Sequence, residues 1–271
     1  MIRALVVVLA LCATALAKPA LPLPPAMPAA TTSGHVGPIY YATYGDGPPV
    51  ILLHGGMGNG DHFAFQLPAL VENHRVIVID SRGHGRSALT KQKLSYHRMA
   101  EDVVAVMDAL KLERAALVGW SDGGSIALDV AIHHPTRVAK LFVVGTSSDA
   151  SGHKRRTQPS STFAAYTAKC RADHARLGGT PATFQAMVTA MRPIWRNPGG
   201  FTKKQLASIQ APTLVALGEH DELITVAHVR AMAKLIPDAK ATIFAGASHF
   251  VMWQDPAAFN AALVEFLAAK E

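Results

Sequence analysis

Short apolar runs alternate along the chain with segments that have helical periodicity. The run from Val50 to Leu53 is apolar throughout and stops at a turn of histidine and glycines. Runs this short, each ended by glycine or a polar turn, are typical of strands that are buried on both faces. This pattern predicts strands over 39–44, 50–53, 75–80, 115–119, 139–145, 213–218 and 241–246.

Helical patterns lie between the predicted strands. From Met99 to Leu110, apolar residues recur at intervals of four, four and three, which places them on one face of a helix. Further helices are predicted over 225–236 and 256–269, and Asp255 offers an N-cap for the second of these. Repeated alternation of strands and helices predicts an α/β fold, with a mostly parallel central sheet and helices on both of its faces.

One long stretch interrupts this alternation. Residues 147–210 contain no strand pattern but two helical ones, near 161–176 and 180–195. We interpret the stretch as a helical cap inserted into a core domain that is formed by residues 35–146 and 211–271.

The N-terminus has the features of a targeting segment. Arg3 precedes an uncharged apolar run, and Ala15 and Ala17 have the small-residue spacing that a signal peptidase recognises. Residues 1–17 are therefore predicted to be a signal peptide. The apolar run is too short to cross a bilayer as a permanent anchor, and a buried N-terminal helix is the alternative interpretation. Residues 18–34 are rich in proline and alanine and predict an extended linker. We expect an exported protein, periplasmic or secreted, without a stable membrane anchor after cleavage.

The composition excludes several classes of protein. Hydrophobic residues make up 49% of the chain and charged residues 17%, which is too apolar for an intrinsically disordered protein. Two cysteines provide neither a disulfide scaffold nor a cysteine-rich zinc site. The net charge of +7 comes from scattered basic residues, and the dense patch at 153–156 is typical of a solvated loop. No nucleic-acid partner is therefore expected.

The strongest chemical signal is the sequence Gly-Trp-Ser-Asp-Gly at 119–123. It follows a predicted strand and begins a helical pattern, which is the context of a nucleophile elbow. The flanking glycines allow neighbouring backbone to approach closely, and the sharp turn presents the hydroxyl of Ser121 above the sheet. Ser121 is the predicted nucleophile.

A serine hydroxyl needs a base to accept its proton, and histidine is the usual one. His249 follows the last predicted strand by three residues, so its loop lies at the carboxyl edge of the sheet, where open α/β sheets place their chemistry. Asp221 follows the preceding predicted strand and is the expected acid that orients the imidazole, with Glu219 and Glu222 as alternatives. The chain order Ser121, Asp221, His249 is the one expected for this architecture.

The transition state of acyl transfer needs two backbone N–H donors for its oxyanion. Asp122, directly after the nucleophile, is predicted to provide one of them. The glycine-rich turn after the strand at 50–53 is predicted to provide the other, from Gly56 or, as second choice, Met57. No H-E-x-x-H motif and no paired Cys/His spacing is present, so no metal is expected.

These motifs together resemble the α/β-hydrolase family from about Gly37 to Lys270. The resemblance implies the α/β-hydrolase fold with a helical cap and no cofactor, and it assigns no catalytic role to Arg82 or His84. Haloalkane dehalogenases and epoxide hydrolases of this family have an aspartate nucleophile at the position of Ser121. Their reactions are therefore not expected here. The matching segments are HGGMG at 54–58, DSRGHGRS at 80–87, GWSDGG at 119–124, GEHD at 218–221 and SHF at 248–250.

Within that family, the elbow is similar to that of biphenyl-hydrolase-like enzymes and related bacterial esterases. In members that cleave amino-acid esters, an aspartate near the active site binds the substrate ammonium, and the resemblance makes Asp122 the candidate here. A structural role for Asp122 is the alternative. Trp120, beside the nucleophile, is a second candidate substrate contact.

The sequence thus predicts a serine hydrolase that cleaves small-molecule carboxylic esters through an acyl-enzyme. Two alternatives stay open: the same triad used for amide or C–C cleavage or for cofactor-free perhydrolysis, and a non-catalytic binding protein on the same fold. The identity of the substrate and the oligomeric state are not predicted. Cap residues are expected mostly to pack onto the core, with some lining the substrate pocket, and they are Phe163, Tyr166, Phe184, Met187, Met191 and Trp195.

Overall fold

The computed structural model describes residues 21–155, 160–196 and 200–269. Within these ranges, the strands are β1 Thr32–Val36, β2 Ile39–Tyr44, β3 Pro49–Leu53, β4 Arg75–Ile79, β5 Ala115–Trp120, β6 Val138–Val144, β7 Thr213–Gly218 and β8 Ala239–Phe244. They form one sheet in the order β1-β2-β4-β3-β5-β6-β7-β8. The pairs β1–β2 and β2–β4 are antiparallel, and all other neighbouring pairs are parallel. The predicted mostly parallel sheet is confirmed.

Helices connect the parallel strands. Several begin at a side chain that caps the free N–H groups of the first turn, as Ser95 does for Arg98 and Thr225 does for His228. Asp255 caps the C-terminal helix as predicted, by accepting from the N–H of Ala258. The described α-helices are α1 Leu67–Leu70, α2 Tyr96–Ala109, α3 Asp122–His133, α4 Ser161–Arg176, α5 Pro181–Arg196, α6 Lys203–Leu206, α7 Val226–Leu235, α8 Val251–Gln254 and α9 Pro256–Ala268. None of these helices is long and apolar enough to cross a membrane.

The segment between β6 and β7 is helical, as predicted for the cap. It contains α4 and α5, and also the short helix α6, which the sequence pattern did not indicate. Its described residues form only isolated β-bridges, such as the one between Asp149 and Gly200. Phe184, Met187 and Met191 are buried on the inner side of this segment, so they fix the cap to the core.

The N-terminal boundary differs from the prediction. Strand β1 begins at Thr32, which lies inside the predicted linker 18–34. The hydroxyls of Thr32 and Thr43 lie 2.7 Å apart, and the N–H of Thr31 donates to the carbonyl of Thr43. The strand pairing therefore starts before the proline-rich composition would indicate, because two β-branched threonines extend the ladder. The predicted signal peptide lies outside the described residues.

The order of the strands creates the position for a site. Strand β3 lies between β4 and β5 in the sheet. The chain therefore passes from β3 to its neighbour β4 on one side, and then crosses over to β5 on the other side of β3. Loops that follow β3 and β5 therefore diverge and leave a crevice at the carboxyl edge of the sheet, which is where ligands bind in open α/β sheets.

Candidate active site

Ser121 occupies a strained turn between β5 and α3. Its φ of 56° and ψ of −119° lie outside the regions that are comfortable for a side-chain-bearing residue. The glycines on either side are sterically required: a Cβ on Gly119 would lie 2.3 Å from the carbonyl oxygen of Gly123, and one on Gly123 would lie 2.0 Å from that of Leu53. The backbone therefore has the geometry of a nucleophile elbow at the position where the sequence motif predicts one.

His249 and Asp221 form a buried pair beside this elbow. Nδ1 of His249 lies 2.7 Å from Oδ2 of Asp221, and both side chains are almost fully buried. The other carboxylate oxygen of Asp221 accepts the backbone N–H groups of Leu223 and Ile224 at 2.7 and 2.8 Å, which fixes the orientation of the carboxylate. The backbone of Gly145, whose φ is positive, packs directly against the imidazole of His249. A Cβ at this position would lie 3.0 Å from the ring.

The electrostatics of the pair suit a general base. Burial disfavours the charged form of His249, but the charge and hydrogen bond of Asp221 outweigh it and raise the pKa of the imidazole. Burial likewise opposes ionisation of Asp221, but His249 and the two backbone donors lower the pKa of its carboxyl. A carboxylate in this position can stabilise an imidazolium at His249.

The competing acids have other partners. Glu219 accepts the backbone N–H of Gly246 at 2.9 Å. Glu222 accepts the backbone N–H of His249 at 3.0 Å and the hydroxyl of Ser160 at 3.2 Å. Of the three candidate acids, Asp221 is therefore the one that meets the imidazole ring.

The predicted oxyanion donors lie on facing elements. Asp122 is the first residue of α3, where backbone N–H groups have no partner within the helix. Across the crevice, Gly55 to Gly58 forms a turn closed by the N–H of Gly58 on the carbonyl of Gly55, and Met57 has a φ of 66°. Gly56 approaches so closely that a Cβ there would lie 2.5 Å from a carboxylate oxygen of Asp122. The geometry explains why glycine is needed at 56, and the assignment of the second donor to Gly56 or Met57 stays a prediction.

Two side chains hold this turn. The carbonyl of Gly55 lies 2.8 Å from Nδ1 of His54, whose Nε2 accepts the N–H of Ser81 at 2.9 Å. Burial lowers the pKa of His54 to about 3, so the ring is neutral with Nδ1 as the donor. From the cap, the hydroxyl of Tyr166 donates to the carbonyl of Gly56 at 2.7 Å. Because the carbonyls of Gly55 and Gly56 both accept hydrogen bonds, the orientation of the turn is fixed. Its backbone N–H groups are then available as donors to a ligand.

The carboxylate of Asp122 connects the elbow to α2 and to the cap. Its two oxygens accept the hydroxyl of Tyr96 and the indole N–H of Trp195, each at 2.7 Å. Both donors are neutral, and none of the ion pairs in the described part of the chain involves this carboxylate. Sequence reasoning missed Tyr96, because no local signal marks a partner 26 residues away. Trp120 is buried, and its indole N–H donates to the carbonyl of His249 at 2.9 Å.

A cavity of about 570 Å³ joins these groups under the cap. Ser121, His249 and Asp122 line it, together with the turn at 55–57. Three of the six cap residues singled out from the sequence reach this cavity, and three are buried in the packing instead. The lining residues are Phe163, Tyr166 and Trp195, and the packing residues are Phe184, Met187 and Met191.

Arg82 and His84 do not line this cavity. The guanidinium of Arg82 forms a two-pronged pair with the carboxylate of Asp102. His84 is buried, and its Nδ1 lies 3.1 Å from the carbonyl of Arg82. Both therefore organise the loop after β4.

Comparison with known proteins agrees with this architecture. The alpha/beta hydrolase fold family matches residues 48–179. RutD of Caulobacter sp. strain K31, named as a carbamate hydrolase, is 31% identical over 268 residues, which cover 88% of this chain and 98% of the relative. The pimeloyl-[acyl-carrier protein] methyl ester esterase of Vibrio atlanticus strain LGP32 is 28% identical over 261 residues, with 84% and 97% covered.

Among solved structures, Est816 is described as an N-acyl homoserine lactone degrading enzyme. It is 33% identical to this chain and superimposes with a TM-score of 0.65, and the match covers 84% of this chain and 96% of Est816. Each of these three matches covers between 84% and 88% of this chain. The chain belongs to the alpha/beta hydrolase family.

Proposed function

We propose that this protein is a serine hydrolase that cleaves carboxylic esters through an acyl-enzyme. The observation that carries the proposal is the convergence of Ser121, on its strained elbow, and the buried His249–Asp221 pair on a single cavity. A nucleophile, a base and an acid that orients the base are the three groups that this chemistry needs.

Each group has a defined part in the reaction. Oγ of Ser121 attacks the ester carbonyl carbon while Nε2 of His249 accepts its proton, and the oxyanion of the tetrahedral intermediate binds to backbone N–H groups of Asp122 and of the turn at 55–57. The intermediate collapses as His249 gives the proton to the leaving alkoxide, which departs as the alcohol. Water then attacks the acyl-enzyme with His249 again as base, and the acid is released with Ser121 restored.

The relatives support ester chemistry and show what must be tested beside it. One is named a methyl ester esterase and another a lactone-degrading enzyme, and a lactone is a cyclic ester. RutD is named a carbamate hydrolase, and a carbamate presents the same kind of carbonyl with a nitrogen on one side. The cavity volume lies within the range of about 300–1,000 Å³ that is usual for small-molecule sites.

A panel of substrates with matched variants tests the proposal. The panel contains p-nitrophenyl esters of increasing acyl length, a lactone, a carbamate and an anilide. We expect the highest kcat/KM on an ester or lactone, and loss of that turnover in Ser121→Ala and His249→Ala. Ser125→Ala is the matched control, because Ser125 lines the same cavity but its hydroxyl lies 2.9 Å from that of Thr146.

The variants distinguish the chemistry from contamination and misfolding. Ser121→Ala should keep the wild-type melting temperature, since the change removes only a hydroxyl. Ester turnover by Ser121→Ala that equals the wild-type rate in a purified sample would overturn the proposal. A carbamate or anilide turned over faster than every ester would keep the triad and replace the substrate class.

A further inference from the structure

A second group of polar side chains lies between α2 and α3, away from the triad. His97 comes from the first turn of α2, and Asp129 and His133 lie one turn apart on α3. Nδ1 of His97 lies 2.8 Å from Oδ1 of Asp129, and Nδ1 of His133 lies 3.0 Å from the same oxygen. The candidate ligand atoms of the three residues all lie within 4.8 Å of one another.

The burial of the three residues is unequal. Asp129 is 5% exposed, whereas the side chains of His97 and His133 are 56% and 39% exposed. A carboxylate this buried normally has a cationic partner. In the described part of the chain, its ion pairs are with these two imidazoles and include no lysine or arginine. A buried carboxyl group thus lies beneath two accessible imidazoles.

We propose that His97, Asp129 and His133 bind a divalent transition-metal ion, with Zn²⁺ as the model ion. Two imidazole nitrogens and one carboxylate oxygen are donors that zinc prefers, and three protein ligands leave a fourth position for water. To bind the ion, each imidazole presents an unprotonated Nδ1 and carries its one ring proton on Nε2. The bonds to the ion replace the contacts of Nδ1 with Oδ1 of Asp129 and, for His133, with the carbonyl oxygen of Asp129. No metal is expected from the sequence, because the three ligands come from two different helices and match no spacing motif.

Binding an ion requires the two exposed imidazole rings to rotate. With ligand distances of about 2.0–2.1 Å, tetrahedral ligand atoms lie about 3.4 Å apart. The two N–O separations of 2.8 and 3.0 Å are shorter than this, so each ring must move away from Oδ1 of Asp129 by a few tenths of an ångström. The three ligand atoms span up to 4.8 Å, so the two ring nitrogens must also approach each other, by up to about 1.4 Å, to reach the tetrahedral separation. Rotation of the His97 and His133 side chains, which are 56% and 39% exposed, provides this movement. Glu101 adds nearby negative charge: one of its carboxylate oxygens lies 4.0 Å from Nε2 of His97 and 2.8 Å from Nε2 of His134.

The position of the site indicates a stabilising ion rather than a catalytic one. Asp129 lies eight residues beyond Ser121, and eight residues of helix span about 12 Å. An ion held by residues of both helices cross-links α2 to α3, the helix that begins at the nucleophile. Metal binding should therefore raise the melting temperature, because it favours the folded state by mass action.

Titration of chelator-treated protein with ZnCl₂ tests this inference by calorimetry and thermal melting. We expect one saturable ion per chain, an increase in Tm on addition of zinc, and much weaker binding of MgCl₂, which prefers oxygen ligands. His97→Ala and His133→Ala should each weaken Zn²⁺ binding at least about 10-fold. His97→Ala is the cleaner variant, because more than half of that side chain is exposed.

The control is His35→Gln, which removes an exposed histidine on β1 and should leave Zn²⁺ affinity unchanged. Equal affinity for zinc in the wild type and in His97→Ala and His133→Ala would overturn the inference. So would the absence of saturable binding below about 1 mM, which corresponds to a free energy weaker than about −4 kcal/mol. Neither result bears on ester turnover, so this inference and the proposed function fail independently.

Discussion

Replacing Asp221 by asparagine tests how the triad is organised. Oδ1 of Asp221 accepts the backbone N–H groups of Leu223 and Ile224, whereas Oδ2 faces Nδ1 of His249. An asparagine that keeps the two backbone hydrogen bonds through its oxygen must present its NH₂ group to the imidazole. Nδ1 then has to accept a hydrogen bond, which moves the ring proton to Nε2, the atom that should take the proton of Ser121.

The size of the effect follows from this change of tautomer. In a serine protease, the corresponding exchange lowers kcat by roughly 10⁴-fold while the geometry is kept, and we expect a loss of that order in Asp221→Asn. A loss of 10⁴-fold corresponds to about 5 kcal/mol of transition-state stabilisation. The fold should survive, since the two backbone hydrogen bonds are retained.

A second expectation concerns the direction in which kcat/KM changes with pH. His249 acts as a base only when it is neutral, so wild-type kcat/KM should fall as the pH is lowered through the pKa of the imidazole. Burial acts to lower that pKa, but the charge of Asp221 raises it overall, so the acidic limb should lie above the ordinary value of about 6.5. In Asp221→Asn this charge is gone, and the acidic limb of the residual activity should move to lower pH.

The assay is kcat/KM on the best ester of the panel between pH 5 and 9, for the wild type and the variant. Glu219→Gln is the matched control, because it neutralises a carboxylate of the same loop that contacts the backbone of Gly246 instead of the imidazole. It should retain activity close to that of the wild type. An Asp221→Asn enzyme that keeps more than about a tenth of wild-type kcat/KM would refute the reasoning, because the tautomer argument requires a far larger loss.

Three further predictions concern the elbow, Asp122 and the N-terminus. Gly123→Ala places a Cβ 2.0 Å from the carbonyl oxygen of Leu53 and should lower the free energy of unfolding by at least about 1–3 kcal/mol, seen as a lower Tm; an unchanged Tm would contradict the packing of the elbow. Asp122→Asn should lower kcat/KM for an aminoacyl ester about 10- to 150-fold more than for its des-amino analogue if the carboxylate contacts an ammonium in the cavity that it lines. Both of its oxygens already accept a side-chain donor, from Tyr96 and Trp195, so equal losses on the two esters would assign Asp122 to support of the elbow. We also propose that the exported protein begins at Lys18, which N-terminal sequencing can check, and retention of residues 1–17 in a cytoplasmic protein would contradict it.

The sequence predicted the features that depend on local pattern. The strand before Ser121 and the helix after it follow from short-range hydrophobic spacing, and so do the loops that present Asp221 and His249. In a parallel sheet, the carboxyl ends of the strands lie at one edge, and so do the loops that follow them. The pairing of His249 with Asp221 could therefore be predicted from the sequence. The length of the cap helix α4, Ser161–Arg176, was predicted for the same reason, since its pattern is continuous.

Contacts between distant segments could not be predicted in this way. The hydrogen bond of Tyr96 to Asp122 depends on how α2 packs beside α3, and that of Trp195 to the same carboxylate depends on how the cap docks. The early start of β1, where Thr32 pairs with Thr43, depends on pairing across a hairpin, whereas composition alone indicated a linker. Such contacts are set by the tertiary packing and leave no periodic signal in the chain.

The central claim, a nucleophilic Ser121 activated by His249, is tested most directly by covalent labelling. The protein is treated with a fluorophosphonate, which reacts with activated serine hydroxyls, and the modified peptide is identified by mass spectrometry. We predict one phosphonyl group per chain, on Ser121, with labelling strongly slowed in His249→Ala and absent in Ser121→Ala. Modification of a different residue, or labelling of Ser121→Ala at the wild-type rate, would contradict the account.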